Sequence, residues 1–276
     1  LDKDAARARL IAKQGVLIEK NGRTRSVHVP ATAAPGDLGH ADFVCLCVKA
    51  FDTRAAIRHA APLVGPKTTV VSIQNGLGNA EEIARSAGRD KVLCAMTSQG
   101  ATSLGLAHVR HAGAGLTSIA PWSSRKSDTA AFARILRNAG IPTEVLDDAV
   151  GMIWGKLVVS VAVNPVTAVW GVLNGEILAR PNLAQMAFAA AREAAAVAEA
   201  KGISLPFADA AEEVKAVCLA TADNAVTPAV NDVTMCFNDV DCSTTVATIT
   251  PTPAQVCESS TGNTASGPAG MTSYAW

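Results

Sequence analysis

Three polar side chains stand at helical spacing in an otherwise apolar stretch: Lys156, Ser160 and Asn164, at i, i+4 and i+8. Residues 150–163 are apolar almost all the way round, which is the composition of a helix buried on every side. On a 3.6-residue repeat the three polar residues share one face. A buried lysine without compensation is costly and loses basicity, so such a stripe asks for a site. A lysine beside neutral polar side chains suits chemistry in which negative charge grows on oxygen. The plainer alternative is a solvated lysine, with Ser and Asn bonded back to their own helix. Pro165 is expected to end the helix, because it lacks an N–H and disfavours α geometry at Asn164.

Two further clusters lie upstream. Lys49 closes the apolar run DFVCLCVK, and Asn75 follows the run TTVVSIQ, with Gly76 and Gly78 just behind it. Glycines there would let a ligand approach the backbone closely. In open parallel sheets, ligands sit beyond the carboxyl ends of the strands. Each cluster also has an ordinary reading, since Asn-Gly is a common turn and a terminal lysine often points to water.

The elements that must position these groups are legible in outline. Residues 42–49 and 68–74 read as buried strands and 91–97 as a third, with helices at 52–61 and 79–86 between them. Before them come a short basic helix and a hairpin around Asn21-Gly22. After them come short strand-like pieces near His108 and Thr117, a helix at 128–139 and a strand at 143–146. Strands alternating with helices predict an α/β, doubly wound parallel sheet of the Rossmann type. Beyond Asp147 the pattern turns all-helical, with helices expected at 182–202 and 207–223. The expected organisation is a dinucleotide-binding domain at 1–148, a helical domain at 149–224 and an anomalous segment at 225–276.

That last segment contains no Lys, Arg or Leu, so all 24 basic residues lie upstream of it. Ordinary domain composition would place several of each in so long a stretch. Over the whole chain of 276 residues the formal net charge is zero, which gives no electrostatic case for nucleic acid or an anionic membrane. Hydrophobic residues make up 49%, yet no uninterrupted apolar run reaches the ~18–20 residues of a membrane span. No signal peptide is visible, and a cytoplasmic protein is expected. Of seven cysteines, Cys45, Cys47, Cys94 and Cys218 read as buried free thiols. His108 and His111 are close in sequence but lack carboxylates nearby, and no metal site is expected.

In VKAFDTRAAI, VSIQNGLGNAEEI and WGKLVVSVAVNPVTAVWGVLNGEIL, the sequence resembles the ketopantoate reductases (2-dehydropantoate 2-reductases). The motifs agree in order and spacing, and the resemblance runs from residue 1 to about 224. It implies an NADP-binding Rossmann domain joined to a helical domain, and reduction of 2-dehydropantoate to (R)-pantoate on the route to pantothenate and coenzyme A. Lys156 then matches the family's general acid. Asn164 and Asn174 match its substrate-binding asparagines, and Ser160 stands where an asparagine is frequent. Lys49 and Asn75 match residues on the nicotinamide side, and Ala101 falls where a backbone contact to the cofactor is expected. Lys3 stands where the family places a basic residue for the 2′-phosphate of NADP, although Asp2 is adjacent. NAD-specific folds usually carry an acidic residue near there. A small-molecule 2-ketoacid is the implied partner, and a homodimer is compatible with it.

The sequence departs from the family at both ends. The first strand and its glycine-rich phosphate loop are not in the chain, and that loop normally holds the pyrophosphate. After CLATADN the family's serines and closing acid do not follow. The abrupt loss of Leu, Lys and Arg is what a reading-frame shift would produce, so 225–276 is expected to be foreign to the fold. The expected function is NADPH-dependent ketopantoate reduction. The alternatives are a reductase for another 2-ketoacid, or an inactive chain that serves as a binding or dimerisation module.

Overall fold

A computed structural model describes residues 1–224 together with two short strands, Thr264–Ala265 and Tyr274–Ala275, which pair antiparallel. The expectation for 225–276 otherwise lies outside the described residues. The chain divides into two compact units, one of Leu1–Gln74 with Gly78–Ala149 and one of Asn75–Leu77 with Val150–Trp276.

The first unit opens with helix α1 (Ala5–Gln14). The Asp4 carboxylate caps it by accepting from the Ala6 and Arg7 amides, at 2.8 and 3.1 Å. Strands β1 (Val16–Lys20) and β2 (Arg23–Val27) form the expected hairpin. Asn21 and Gly22 both take positive φ there, 51° and 71°, as a two-residue turn between twisted strands requires.

Next come β3 (Phe43–Leu46), α2 (Thr53–His59), β4 (Thr69–Ser72), α3 (Asn79–Ala87) and β5 (Val92–Thr97). After them run β6 (Gly100–Gly105), β7 (His108–Gly113), β8 (Thr117–Pro121), α4 (Lys126–Asn138) and β9 (Thr143–Val145). A five-stranded sheet has the order β3-β4-β5-β8-β9, and a four-stranded one the order β2-β1-β7-β6. In the larger sheet β3, β4 and β5 are parallel, as the apolar runs predict. β8 runs antiparallel to β5 because the β6–β7 hairpin brings the chain back, so the Rossmann-like sheet is mixed. Val71, Leu93, Ala95 and Ile119 form one core cluster with Phe132 and Ala133 of α4.

The cysteine expectation holds for Cys94 and Cys218, which are buried, and fails for Cys45 and Cys47, which are exposed. β3 is an edge strand in which Val44 and Leu46 turn inward. The strand's two-residue period then sends the cysteines to the other face.

The second unit is helical: α5 (Ala149–Trp170), α6 (Asn174–Ala179), α7 (Pro181–Ala200) and α8 (Ala210–Ala220). α7 starts with proline at its first position, where no amide bond is lost. Its Ala187 and Ala191 are fully buried beside Leu183, and such small residues let helices approach closely. Asp209 caps α8 by accepting from Ala211 and Glu212.

The expectation that Pro165 ends the helix is wrong: α5 continues through it to Trp170. Val158, Ala162, Val163 and Val166 belong to the central core of this unit, so burial on both sides of the proline holds the helix together. The Thr167 hydroxyl lies 3.1 Å from the carbonyls of both Val163 and Asn164, adding a side-chain donor beside the lost amide. By length and composition α5 could also cross a membrane, which the reading by uninterrupted runs had excluded. It is the core helix of its unit, and such helices meet the same criterion.

Candidate active site

α5 sets the first group of candidates. Lys156, Ser160 and Asn164 are half-buried, whereas Leu157, Val158, Ala162 and Val163 are buried. The polar stripe is therefore the helix face left least covered, as its spacing predicts. Burial holds the Lys156 ammonium below the ordinary lysine range. The helix beside it is packed tightly. A Cβ on Gly155 would meet Pro206 at 2.7 Å, so only glycine lets that loop lie against α5 here. Trp154 and Leu157 pack in one cluster with Ala198, and Leu77 lies against that cluster. Leu77 thus fastens Asn75–Leu77, the turn after β4, to the helical unit, with Asn75 exposed on it.

Asn174 sits at the start of α6 and is 7% exposed. Its Nδ2 donates to the Thr221 hydroxyl at 2.8 Å, and that hydroxyl donates to the Val217 carbonyl at 2.7 Å. The Asn174 and Gly175 amides donate to the carbonyls of Asn224 and Ala222, at 2.9 and 3.1 Å. Among the described residues, Asn174 Oδ1 is buried without a partner.

The other candidates lie in the first unit. Lys49 is half-buried, three residues beyond β3, and Asn75 is three residues beyond the paired end of β4, where Leu46 pairs with Ser72. Lys3 is exposed and pairs with Asp52 at 3.1 Å, and the Asp52 amide donates to the Lys49 carbonyl. Asp52 therefore joins the two positions, its carboxylate meeting the Lys3 ammonium and its backbone amide the Lys49 carbonyl. Asp2, the adjacent acid, is held by Arg7 through two bonds of 2.5 and 2.8 Å. The Arg7 guanidinium keeps its carboxyl below the usual carboxylate range. Ala101 is placed elsewhere, exposed on β6 opposite His111 of the smaller sheet.

Chain and domain comparisons agree with this architecture. A family model described as ketopantoate reductase PanE/ApbA matches residues 1–124, and its C-terminal counterpart matches 148–235. The 2-dehydropantoate 2-reductase of Archaeoglobus fulgidus is 36% identical over 203 residues, covering 73% of this chain and 66% of that protein. The 2-dehydropantoate 2-reductase of Halobacterium salinarum is 32% identical over 209 residues, covering 75% and 68%. The crystal structure of a PanE/ApbA family ketopantoate reductase from Ralstonia eutropha JMP134 superposes with a TM-score of 0.71. It is 28% identical and the match covers 81% of this chain and 73% of that one. The chain belongs to the ketopantoate reductase family.

The chain spans about two thirds of the length of the curated relatives it matches. The C-terminal family match ends at residue 235, past the point near 224 where the motifs stop being recognisable.

A network at the strand ends was missed by the sequence reading. Gln74 donates to the Val48 carbonyl at 2.9 Å and to the Thr53 hydroxyl at 2.7 Å, and Thr53 donates to Asn79 Oδ1 at 2.8 Å. Thr53 and Asn79 are buried, and the chain of donors fixes the turn that carries Lys49. Thr221 was also missed. In each case the partner is more than 20 residues away, which local spacing cannot show.

Proposed function

We propose that the chain catalyses the NADPH-dependent reduction of 2-dehydropantoate to (R)-pantoate, the step that leads towards pantothenate, with Lys156 as general acid. The observation that carries the proposal is Lys156 itself: a half-buried lysine of lowered basicity, on the one polar face of a core helix.

The cofactor assignment rests on residues whose chemistry fits. Gly76 and Gly78 take φ of 92° and 83° in the turn that follows a parallel strand, a conformation that side chains would strain and that lets a ligand approach the backbone closely. Lys49 and Asn75 would line the nicotinamide side, and Lys3 would meet the 2′-phosphate. The neutralisation of Asp2 by Arg7 supports NADPH over NADH, because the acid that would repel a phosphate is already engaged. When bound, the nicotinamide supplies hydride to the ketone carbon.

The chain's own residues supply the rest. Lys156 donates its proton to the ketone oxygen, and its lowered pKa eases that transfer near neutral pH. Asn164, Ser160 and Asn174 orient the substrate without adding a charge to compete with the ammonium. The test is NADPH oxidation by the purified chain with ketopantoate. Lys156→Ala is expected to lower kcat on the order of 10²–10⁴-fold, the usual range for a positioned acid. Unchanged kcat in that variant would remove Lys156 from the reaction.

A further inference from the structure

We propose that Thr221 is a positioning residue that fixes the polarity of Asn174, so that this side chain faces the substrate with its oxygen and selects a hydroxyl donor. The proposal rests on the reading of the chain as a ketopantoate reductase and deepens it by assigning one substrate group to one atom.

The argument begins with proton counting. The Thr221 hydroxyl has one proton, and it is directed to the Val217 carbonyl at 2.7 Å within α8. The oxygen is left as an acceptor, and the atom 2.8 Å away on Asn174 must therefore be the amide nitrogen. The reversed amide would set two acceptors against each other. The amide of Asn174 is fixed as well, since the backbone N–H groups of Asn174 and Gly175 are tied to the carbonyls after α8. What remains is Oδ1, buried and without a partner among the described residues. A buried acceptor of this kind carries a desolvation penalty until something donates to it.

Ketopantoate carries a carboxylate, a ketone and one hydroxyl. At neutral pH the first two only accept, so neither can bond to an amide oxygen. The hydroxyl alone can. Asn174 therefore reads the hydroxyl, and the carboxylate must be held by other groups. This narrows the role that a neutral amide alone would leave open.

The experiment compares kcat/KM for ketopantoate and for its deoxy analogue, 2-oxo-3,3-dimethylbutanoate, in the parent chain, Thr221→Val and Thr221→Ser. The parent is expected to prefer the hydroxylated compound by about tenfold, the worth of one neutral hydrogen bond. Thr221→Val should bring that preference close to unity, mainly by raising KM for ketopantoate while the deoxy compound is little affected. Thr221→Ser keeps the hydroxyl and should restore the preference. An equal loss for both substrates in Thr221→Val, or a serine variant that behaves like the valine one, overturns the proposal and leaves Thr221 a structural residue. A parent that reduces both compounds equally well overturns the proposal but not the reductase reading. A parent that reduces neither overturns both.

Discussion

Replacing Pro165 by alanine tests how α5 is held together. Pro165 lies deep inside a 22-residue helix and is buried. An interior proline is about 3 kcal/mol less favourable than alanine, chiefly through the missing amide and the clash with the preceding turn. Against that gain, alanine gives up two buried ring methylenes, worth about 0.8 kcal/mol each. The net expectation is a stabilisation of about 1–1.5 kcal/mol. For a chain of this size that corresponds to a rise in Tm of roughly 3–5 °C. Urea denaturation followed by circular dichroism would measure it directly. A loss of 1 kcal/mol or more would refute the reasoning, because it would mean that the ring's own packing, not the surrounding core, keeps α5 continuous. The substitution should also weaken ketopantoate binding, since Asn164 directly precedes the proline and loses the restraint on its backbone.

Lys156→Met should stabilise the chain at neutral pH while abolishing reduction. Burial lowers the folded-state pKa of Lys156, so between that value and about 10.4 the unfolded chain binds more protons and stability rises with pH. Below the lowered value the buried charge is a constant burden, so the methionine variant's advantage should be largest near pH 7 and shrink towards pH 10 in paired urea titrations. An advantage that does not change with pH would count against a buried charge. Gly175→Ala should destabilise the chain by about 1–3 kcal/mol. The new Cβ would meet Ala222 Cβ at 2.9 Å and its Cα at 3.2 Å, with backbone on one side and no flexible tip to yield. Thermal unfolding checks this, and a variant as stable as the parent would show that α6 and the chain after α8 can separate freely.

How much of this was legible in the sequence depended on the range of the interaction. The Lys156 stripe could be read because its spacing is a property of one helix, and the Asn21-Gly22 hairpin because its turn is a property of two residues. Pro165 was misread because the local rule is sound but loses to packing from residues far along the chain. β6 was not foreseen: GATSLG is exposed over most of its length and has no apolar alternation. Cys45 and Cys47 were judged from an apolar run, and such a run cannot reveal that its strand lies at an edge. Asn174 was found only by resemblance, and neither its orientation nor its partner Thr221 was visible, since the two are 47 positions apart.

The misread and missed features in the helical unit have a common character. A proline inside a helix, a half-buried lysine on a core helix and a buried amide oxygen without a donor among the described residues each break a rule that favours stability. All three fall between Lys156 and Asn174. Folding alone would favour alanine, methionine and a satisfied side chain at these places. Sequences that specify a fold usually break such rules where function requires it. The proposed chemistry requires two of these features directly, a lysine that gives up its proton and an acceptor that waits for a hydroxyl. The third, Pro165, directly follows Asn164, and Asn164 shares the polar face of the lysine. A single substrate binding here would relieve two of the burdens at once, placing a donor on Asn174 Oδ1 and negative charge near Lys156. Stability should therefore rise on adding pantoate, and more in the parent than in Thr221→Val.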